Sequence, residues 1–164
     1  MKKFLFSITL VFFIFVEIHA HVDHYQKYNY LEYELFRNNK SIGYHKFDFQ
    51  RDNDKLSVVS EVSFEISKLG VNLYNYFAKS EENYKNGIFK SYSSTTKQNK
   101  KDRYVNISVN TTDKSLLIDG SSYKGKANKE FIVGTWWNHE IIKAKAQISG
   151  ISGRIIEQTV TFIG

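Results

Sequence analysis

A strict alternation of apolar and polar side chains marks the segment Lys55 to Lys68. Its apolar phase contains Leu56, Val58, Val62, Phe64 and Ile66, and serine and glutamate fill most of the positions between them. A period of two over this length predicts a β-strand with one buried face and one solvated face. Such strands are typical of antiparallel sheets, since parallel strands are usually buried on both faces.

Further strands of this kind are predicted on both sides of that segment. Short polar turns separate them at residues 37–41, 51–54 and 110–114, and Asn86-Gly87 is a strong signal for a hairpin turn. Consecutive strands joined by short turns predict an all-β (mainly β) fold, an antiparallel meander that forms a barrel or sandwich. We expect a curved sheet or an open half-barrel.

One segment departs from this period. Trp137, Ile141 and Ala144 follow one another at spacings of four and three, and Thr135 or Asn138 can cap the turn before them. This spacing predicts one short helix near residues 136–147, which would close a barrel mouth or pack on the sheet. A last strand is expected over Ile155 to Ile163.

The first 20 residues have the composition of a secretory signal peptide. Two lysines, Lys2 and Lys3, precede an apolar run from Phe4 to Val16, and Ala20 offers a small residue for cleavage. The run is too short to span a bilayer, which takes roughly 20 apolar residues. We therefore expect an exported, periplasmic protein with no transmembrane span after cleavage. A flexible N-terminal segment, 21–27, and a single β domain, 28–164, would follow.

Several short motifs in this order resemble an uncharacterised family of exported bacterial β-proteins, known only as a domain of unknown function. They are Tyr33-Glu34-Leu35-Phe36-Arg37-Asn38-Asn39-Lys40-Ser41-Ile42-Gly43, Leu69-Gly70 with Tyr74 and Tyr76, Asn86-Gly87, Trp137-Asn138 and Gly153-Arg154. The resemblance covers roughly residues 31–163. It implies a periplasmic β-rich fold with no assigned activity.

The resemblance also implies further strands beyond Gly164. The domain is therefore expected to be truncated at its C-terminus, with Ile155 to Ile163 as an unpaired apolar edge. Unpaired apolar edges promote association between copies of a chain. Self-association through this edge is accordingly expected.

Motifs for catalysis and for metal binding are incomplete. His139-Glu140-Ile141-Ile142-Lys143 begins like a zinc-protease helix, but Lys143 stands where the second histidine ligand is needed. The chain has no cysteine, which excludes thiol chemistry and disulfides. We expect no metal and no cofactor, and an enzyme is the less favoured interpretation.

The basic balance of the chain has two interpretations. The formal net charge is +6, and Lys97, Lys100, Lys101 and Arg103 cluster at a predicted hairpin tip. The cluster is either simply solvated or meets anionic lipid headgroups or another acidic envelope surface. Nucleic acid is not expected as a partner of an exported protein.

Aromatic side chains provide the remaining candidates for a binding site. The residues singled out are Tyr74, Tyr76, Trp136, Trp137, Asn138 and His45. Aromatics at a barrel mouth can hold an apolar ligand, although they are also common in ordinary sheet packing. The preferred hypothesis is a non-catalytic periplasmic protein that binds a lipid, another apolar or amphipathic envelope ligand, or an envelope partner. The alternatives are an enzyme with an unrecognised site near His45 or Trp136–His139, and a structural or assembly protein of the envelope.

Overall fold

The segments in which apolar and polar residues alternate fold into an eight-stranded antiparallel sheet, and its strands pair strictly in sequence order. The computed structural model describes residues 25–161 and 163; the expected signal peptide, 1–20, lies outside them. The strands are β1 (Tyr30–Arg37), β2 (Lys40–Asp52), β3 (Lys55–Lys68), β4 (Val71–Lys85), β5 (Ile88–Gln98), β6 (Lys101–Val109), β7 (Leu116–Gly120) and β8 (Lys124–Ala127). The mainly β antiparallel meander is thus confirmed, and strand β3 has the predicted bounds.

Two-residue turns connect the first six strands, and their chemistry explains the register. Asn38-Asn39 and Asn86-Gly87 have positive φ at both central positions, the conformation of the type I′ turn that matches the twist of hairpin strands. Asparagine tolerates this left-handed region better than most residues because its short side chain can bond locally. The turn between β3 and β4 is an exception, since Leu69 occupies the first position with φ 53°.

A second, three-stranded sheet follows the meander. It contains β9 (Ile132–Val133), β10 (Ala146–Ile148) and β11 (Ile155–Glu157), in the order β11-β10-β9. Strand β10 is antiparallel to β11 and parallel to β9. The last strand is therefore shorter than the predicted Ile155 to Ile163, and it pairs with β10.

The small sheet and its connections fold over one face of the meander, which we call the inner face. Val133 and Ile148 of the small sheet pack with Tyr92, Val105 and Ile118 of the meander in one buried cluster. Trp137 packs in a second cluster with the residues Phe47, Phe49, Leu56, Val58 and Tyr84. Residues 128–158, the covering segment, thereby supply the second layer that a single sheet needs in order to bury its apolar face.

The meander does not close into a barrel. Strands β1 and β8 are the two edges of the sheet and do not pair with each other. The barrel expectation is therefore wrong, and the open arrangement is confirmed. The reason lies in the covering segment, which fills the inner face that barrel closure would otherwise enclose.

The helical segment expected near residues 136–147 is a single 3₁₀ turn, His139–Ile142. Asn138 caps it, because its side-chain oxygen accepts a hydrogen bond from the Glu140 amide at 3.1 Å.

In the segment 21–27, the described part includes Tyr25, whose ring stacks on Phe49 at 5.5 Å. The Arg51 guanidinium also donates to the Tyr25 carbonyl at 2.9 Å.

We predict that the small sheet and the meander unfold together. Replacing fully buried Ile148 with alanine should lower the free energy of unfolding by about 2–5 kcal/mol, since it leaves a cavity between the two sheets. Urea denaturation followed by fluorescence and by circular dichroism measures this change. Ile142→Ala is the matched control. Because Ile142 is exposed, this substitution should lower the free energy of unfolding by less than about 0.5 kcal/mol. Two separate transitions in the wild type would contradict the prediction.

Candidate functional site

The inner face has a covered half and an open half. Towards the β2–β3 and β4–β5 turns its side chains are buried beneath the covering segment. Towards the β3–β4 turn, the inward-facing side chains of β3 and β4 are only half-buried. We call this second region the open patch; its members are Val62, Phe64, Ile66, Tyr74, Tyr76 and Ala78.

Stacked rings form the centre of the open patch. The ring of Phe64 lies 5.0 Å from that of Tyr76 and 5.8 Å from that of Tyr74, with small interplanar angles. Strand register explains the contact, because Phe64 is paired with Tyr76 and Ile66 with Tyr74. Gln98 donates a hydrogen bond to the Tyr74 hydroxyl at 2.6 Å. Burial raises the pKa of Tyr76, so its hydroxyl stays protonated at neutral pH.

A shallow depression of about 340 Å³ borders the patch at Gly43, Phe64 and Tyr76. Gly43 is required there by the close approach of two strands. A Cβ atom at this position would lie 2.0 Å from the Ser63 carbonyl oxygen and 2.6 Å from the Phe64 Cα. Tyr44, Ser63, Glu65 and Asn75 also line the depression, so it is a partly polar margin of the aromatic patch.

His45 lies between the open patch and the buried cluster. It is paired with Val62 across the strands, its ring centroid lies 4.2 Å from that of Phe47, and its Nε2 lies 2.8 Å from the Ser60 hydroxyl oxygen. Burial lowers the pKa of His45, so the imidazole is neutral at neutral pH. His45 and Ser60 place one polar pair at the edge of an otherwise apolar surface.

The structure separates the three remaining candidates from the patch. Trp137 is buried, and its indole N–H donates to the Glu82 carboxylate at 2.9 Å. Asn138 donates to the Tyr84 hydroxyl at 3.3 Å. These two residues hold the covering segment on the sheet. Trp136 is 88% exposed on the outside of that segment.

Sequence reasoning missed Glu82, which is buried at the centre of this arrangement. Only 2% of the residue is exposed, and its carboxylate accepts hydrogen bonds from Tyr84 and Trp137. Burial raises the pKa of Glu82 to about 7, although the bonds from Tyr84 and Trp137 act in the opposite direction. The signal was present in the sequence, since Glu82 shares the inward phase of β4 with Tyr84.

Within 25–161 and 163, no group of three or more His, Cys, Asp or Glu side chains is placed to hold a metal ion. Over the same residues, no helix has the length and apolar character needed to cross a bilayer.

Comparison with known proteins identifies one family. A family model described as Domain of unknown function (DUF6134) matches residues 33–164. No curated protein and no solved structure matches the chain significantly.

We predict that Glu82 makes the stability of the covering segment depend on pH. Its pKa in the folded chain, about 7, lies above the ordinary 4.5. The fold therefore favours the protonated form, and stability is lost as the pH rises from about 4.5 to above 7. Glu82→Gln keeps the group uncharged. The difference in unfolding free energy between this variant and the wild type should change by on the order of 3 kcal/mol between pH 4.5 and 8.

Urea denaturation at a series of pH values measures this difference. Glu81→Gln is the control, because Glu81 is the exposed neighbour on the opposite face of β4 and should leave the pH dependence of the wild type unchanged. Parallel pH profiles for Glu82→Gln and the wild type would show that the buried carboxyl does not titrate in this range.

Proposed function

Since the chain belongs to the DUF6134 family, which is described only as a domain of unknown function, we propose its function from the site itself. The protein is a non-catalytic envelope protein that binds an apolar or amphipathic ligand on the open patch. The observation that carries the proposal is the stacked trio of Phe64, Tyr74 and Tyr76, half-buried on a face whose other half is fully covered.

The composition of the patch favours an amphipathic ligand over a polar one. Its central side chains are aromatic and aliphatic, and covering them would remove apolar surface from water at roughly 25 cal/mol per Å². Side-chain hydrogen bonds flank the rings, with the His45–Ser60 pair on one side and the Tyr74–Gln98 pair on the other. A chain-like apolar group along the rings, with a polar head at one margin, satisfies both features.

The location proposed for this activity is the periplasm. It is supported by the cationic start, the apolar run from Phe4 to Val16 and the small residue Ala20, which together have the pattern of a cleavable export signal. An exported protein of this kind meets membrane lipids and lipid-linked molecules, which are amphipathic. Location and ligand class therefore agree with each other.

We predict that the protein binds a fluorescent lysophospholipid saturably, at lipid concentrations below those at which micelles form. Phe64→Ala should weaken this binding about ten-fold or more, because a buried phenylalanine side chain contributes roughly 1.5–3 kcal/mol. Phe77→Ala is the matched control, since Phe77 is an exposed phenylalanine in the outward phase of β4. It should bind as the wild type does.

Melting curves of both variants establish that the fold persists. Saturable binding that Phe64→Ala and Phe77→Ala weaken equally would place the ligand elsewhere. No saturable binding by the wild type, with this probe and with a fluorescent fatty acid, would count against an amphipathic ligand altogether.

A further inference from the structure

We propose that one end of the meander docks on lipid bilayers that contain anionic phospholipid, through the tips of three neighbouring hairpins. The tips are the turns β1–β2, β3–β4 and β5–β6. They combine an apolar finger, formed by Leu69, Val71 and Leu73, with a basic rim. The rim consists of Arg37, Lys40, Lys68, Lys97, Lys100, Lys101 and Arg103.

Strand register places the three tips at the same end of the sheet. Strand β2 pairs with β3 from Gly43 and Phe64 onwards, three and four residues from the respective ends of these strands. The β1–β2 and β3–β4 turns are therefore nearly level. The β5–β6 turn is joined to β4, because the Asn99 amide donates to the Asn75 carbonyl and the Asn99 side chain accepts from the Asn75 amide, both at 2.8 Å.

The β3–β4 hairpin projects well beyond the β5–β6 tip. Its ladder with β5 begins only at Tyr76, so β4 continues for five residues to Val71, roughly 16 Å at about 3.3 Å per residue. A bulge between Ile66 and Ser67 leaves Leu73 without a partner opposite it. Leu69, Val71 and Leu73 are all exposed, and Leu69 is 95% exposed.

Leu69 does not serve the fold. It has φ 53°, a conformation that is unfavourable for a bulky side chain. The first position of every other two-residue turn of the meander has a positive φ and is occupied by asparagine, as in Asn86-Gly87. A leucine that is strained, exposed and at the tip of a projecting hairpin makes no packing contribution, and it is suited to insertion into an apolar phase.

The charges around the apolar finger indicate what kind of apolar phase it enters. Residues 36–41, 67–72 and 97–103 contain the seven cations of the basic rim and one carboxylate, Asp102. None of the seven forms an ion pair with another residue of the described chain. At the opposite end of the sheet, by contrast, Lys85 pairs with Asp54 at 3.6 Å and Lys126 with Asp113 at 3.0 Å.

An anionic bilayer matches this combination better than a protein surface does. A finger that projects by itself can bury its side chains in a deformable phase without a pre-shaped pocket. Cations at the level of the headgroups each strengthen binding on the order of five-fold. Docking at the hairpin tips does not require ligand binding on the open patch, although Tyr74 lies on the same hairpin and the patch opens towards this end.

The test is co-sedimentation of the protein with unilamellar vesicles. We expect binding to vesicles that contain phosphatidylglycerol, weak binding to phosphatidylcholine alone, and loss of binding in high salt. Leu69→Asn should bind at least five-fold more weakly while melting at the same or a higher temperature, because asparagine suits the positive φ. Ile88→Asn is the control, since Ile88 is an exposed apolar residue beside the turn at the opposite end.

A second pair of variants tests the basic rim with equal changes in net charge. Lys100→Glu with Lys101→Glu should weaken vesicle binding more than ten-fold, whereas Lys55→Glu with Lys90→Glu, at the opposite end, should weaken it far less. Equal losses would mean that only the overall charge matters and would overturn the proposal. So would unchanged binding by Leu69→Asn, or binding to poly-glutamate beads but not to vesicles.

The lysophospholipid assay separates this proposal from the function proposed for the open patch. Leu69→Asn should lose vesicle binding and keep binding of monomeric lysophospholipid, whereas Phe64→Ala should show the reverse. Loss of both vesicle binding and lysophospholipid binding in both variants would show that the two surfaces are not independent. It would overturn the proposal that the hairpin tips dock by themselves.

Discussion

An open sheet cannot bury its own apolar face, and the structure depends on how this chain meets that constraint. Eight strands pair in sequence order without closing, so the second layer has to come from elsewhere in the chain. Residues 128–158 supply it, through Val133 and Ile148 on one side and Trp137 on the other. Because this segment covers only part of the inner face, the rest stays open, and that part is the candidate site.

A buried carboxylate joins the two layers. Glu82 of the sheet accepts a hydrogen bond from the indole of Trp137 in the covering segment and another from Tyr84. No cation is among the causes that shift its pKa, so burial favours the neutral carboxyl. An apolar residue in place of Glu82 would leave the indole N–H without a partner. The polar contact thus fixes where the tryptophan sits, and the surrounding rings provide the apolar burial.

Local rules predicted much of the fold from the sequence. The period of two in β3, the turn at Asn86-Gly87 and the Asn138 cap were all predicted, because each depends on neighbouring residues. The small sheet was missed because its strands have two or three residues, too few for a period to be visible. Which aromatic side chains are covered depends on where a distant segment crosses the sheet. Consequently Tyr76 and Trp137 looked alike in the sequence and differ in the structure.

The order of the strands also determines when each part of the molecule can form. Every ladder of the meander joins consecutive strands, so each closes only a short loop and costs little chain entropy. The sheet can therefore grow hairpin by hairpin from its N-terminal side as the chain emerges. The covering segment follows the meander in sequence, which leaves the inner face exposed to water until Val133, Trp137 and Ile148 pack on it. During that interval the nascent sheet has a continuous apolar surface that is vulnerable to aggregation, and packing of the covering segment reduces this surface to the open patch.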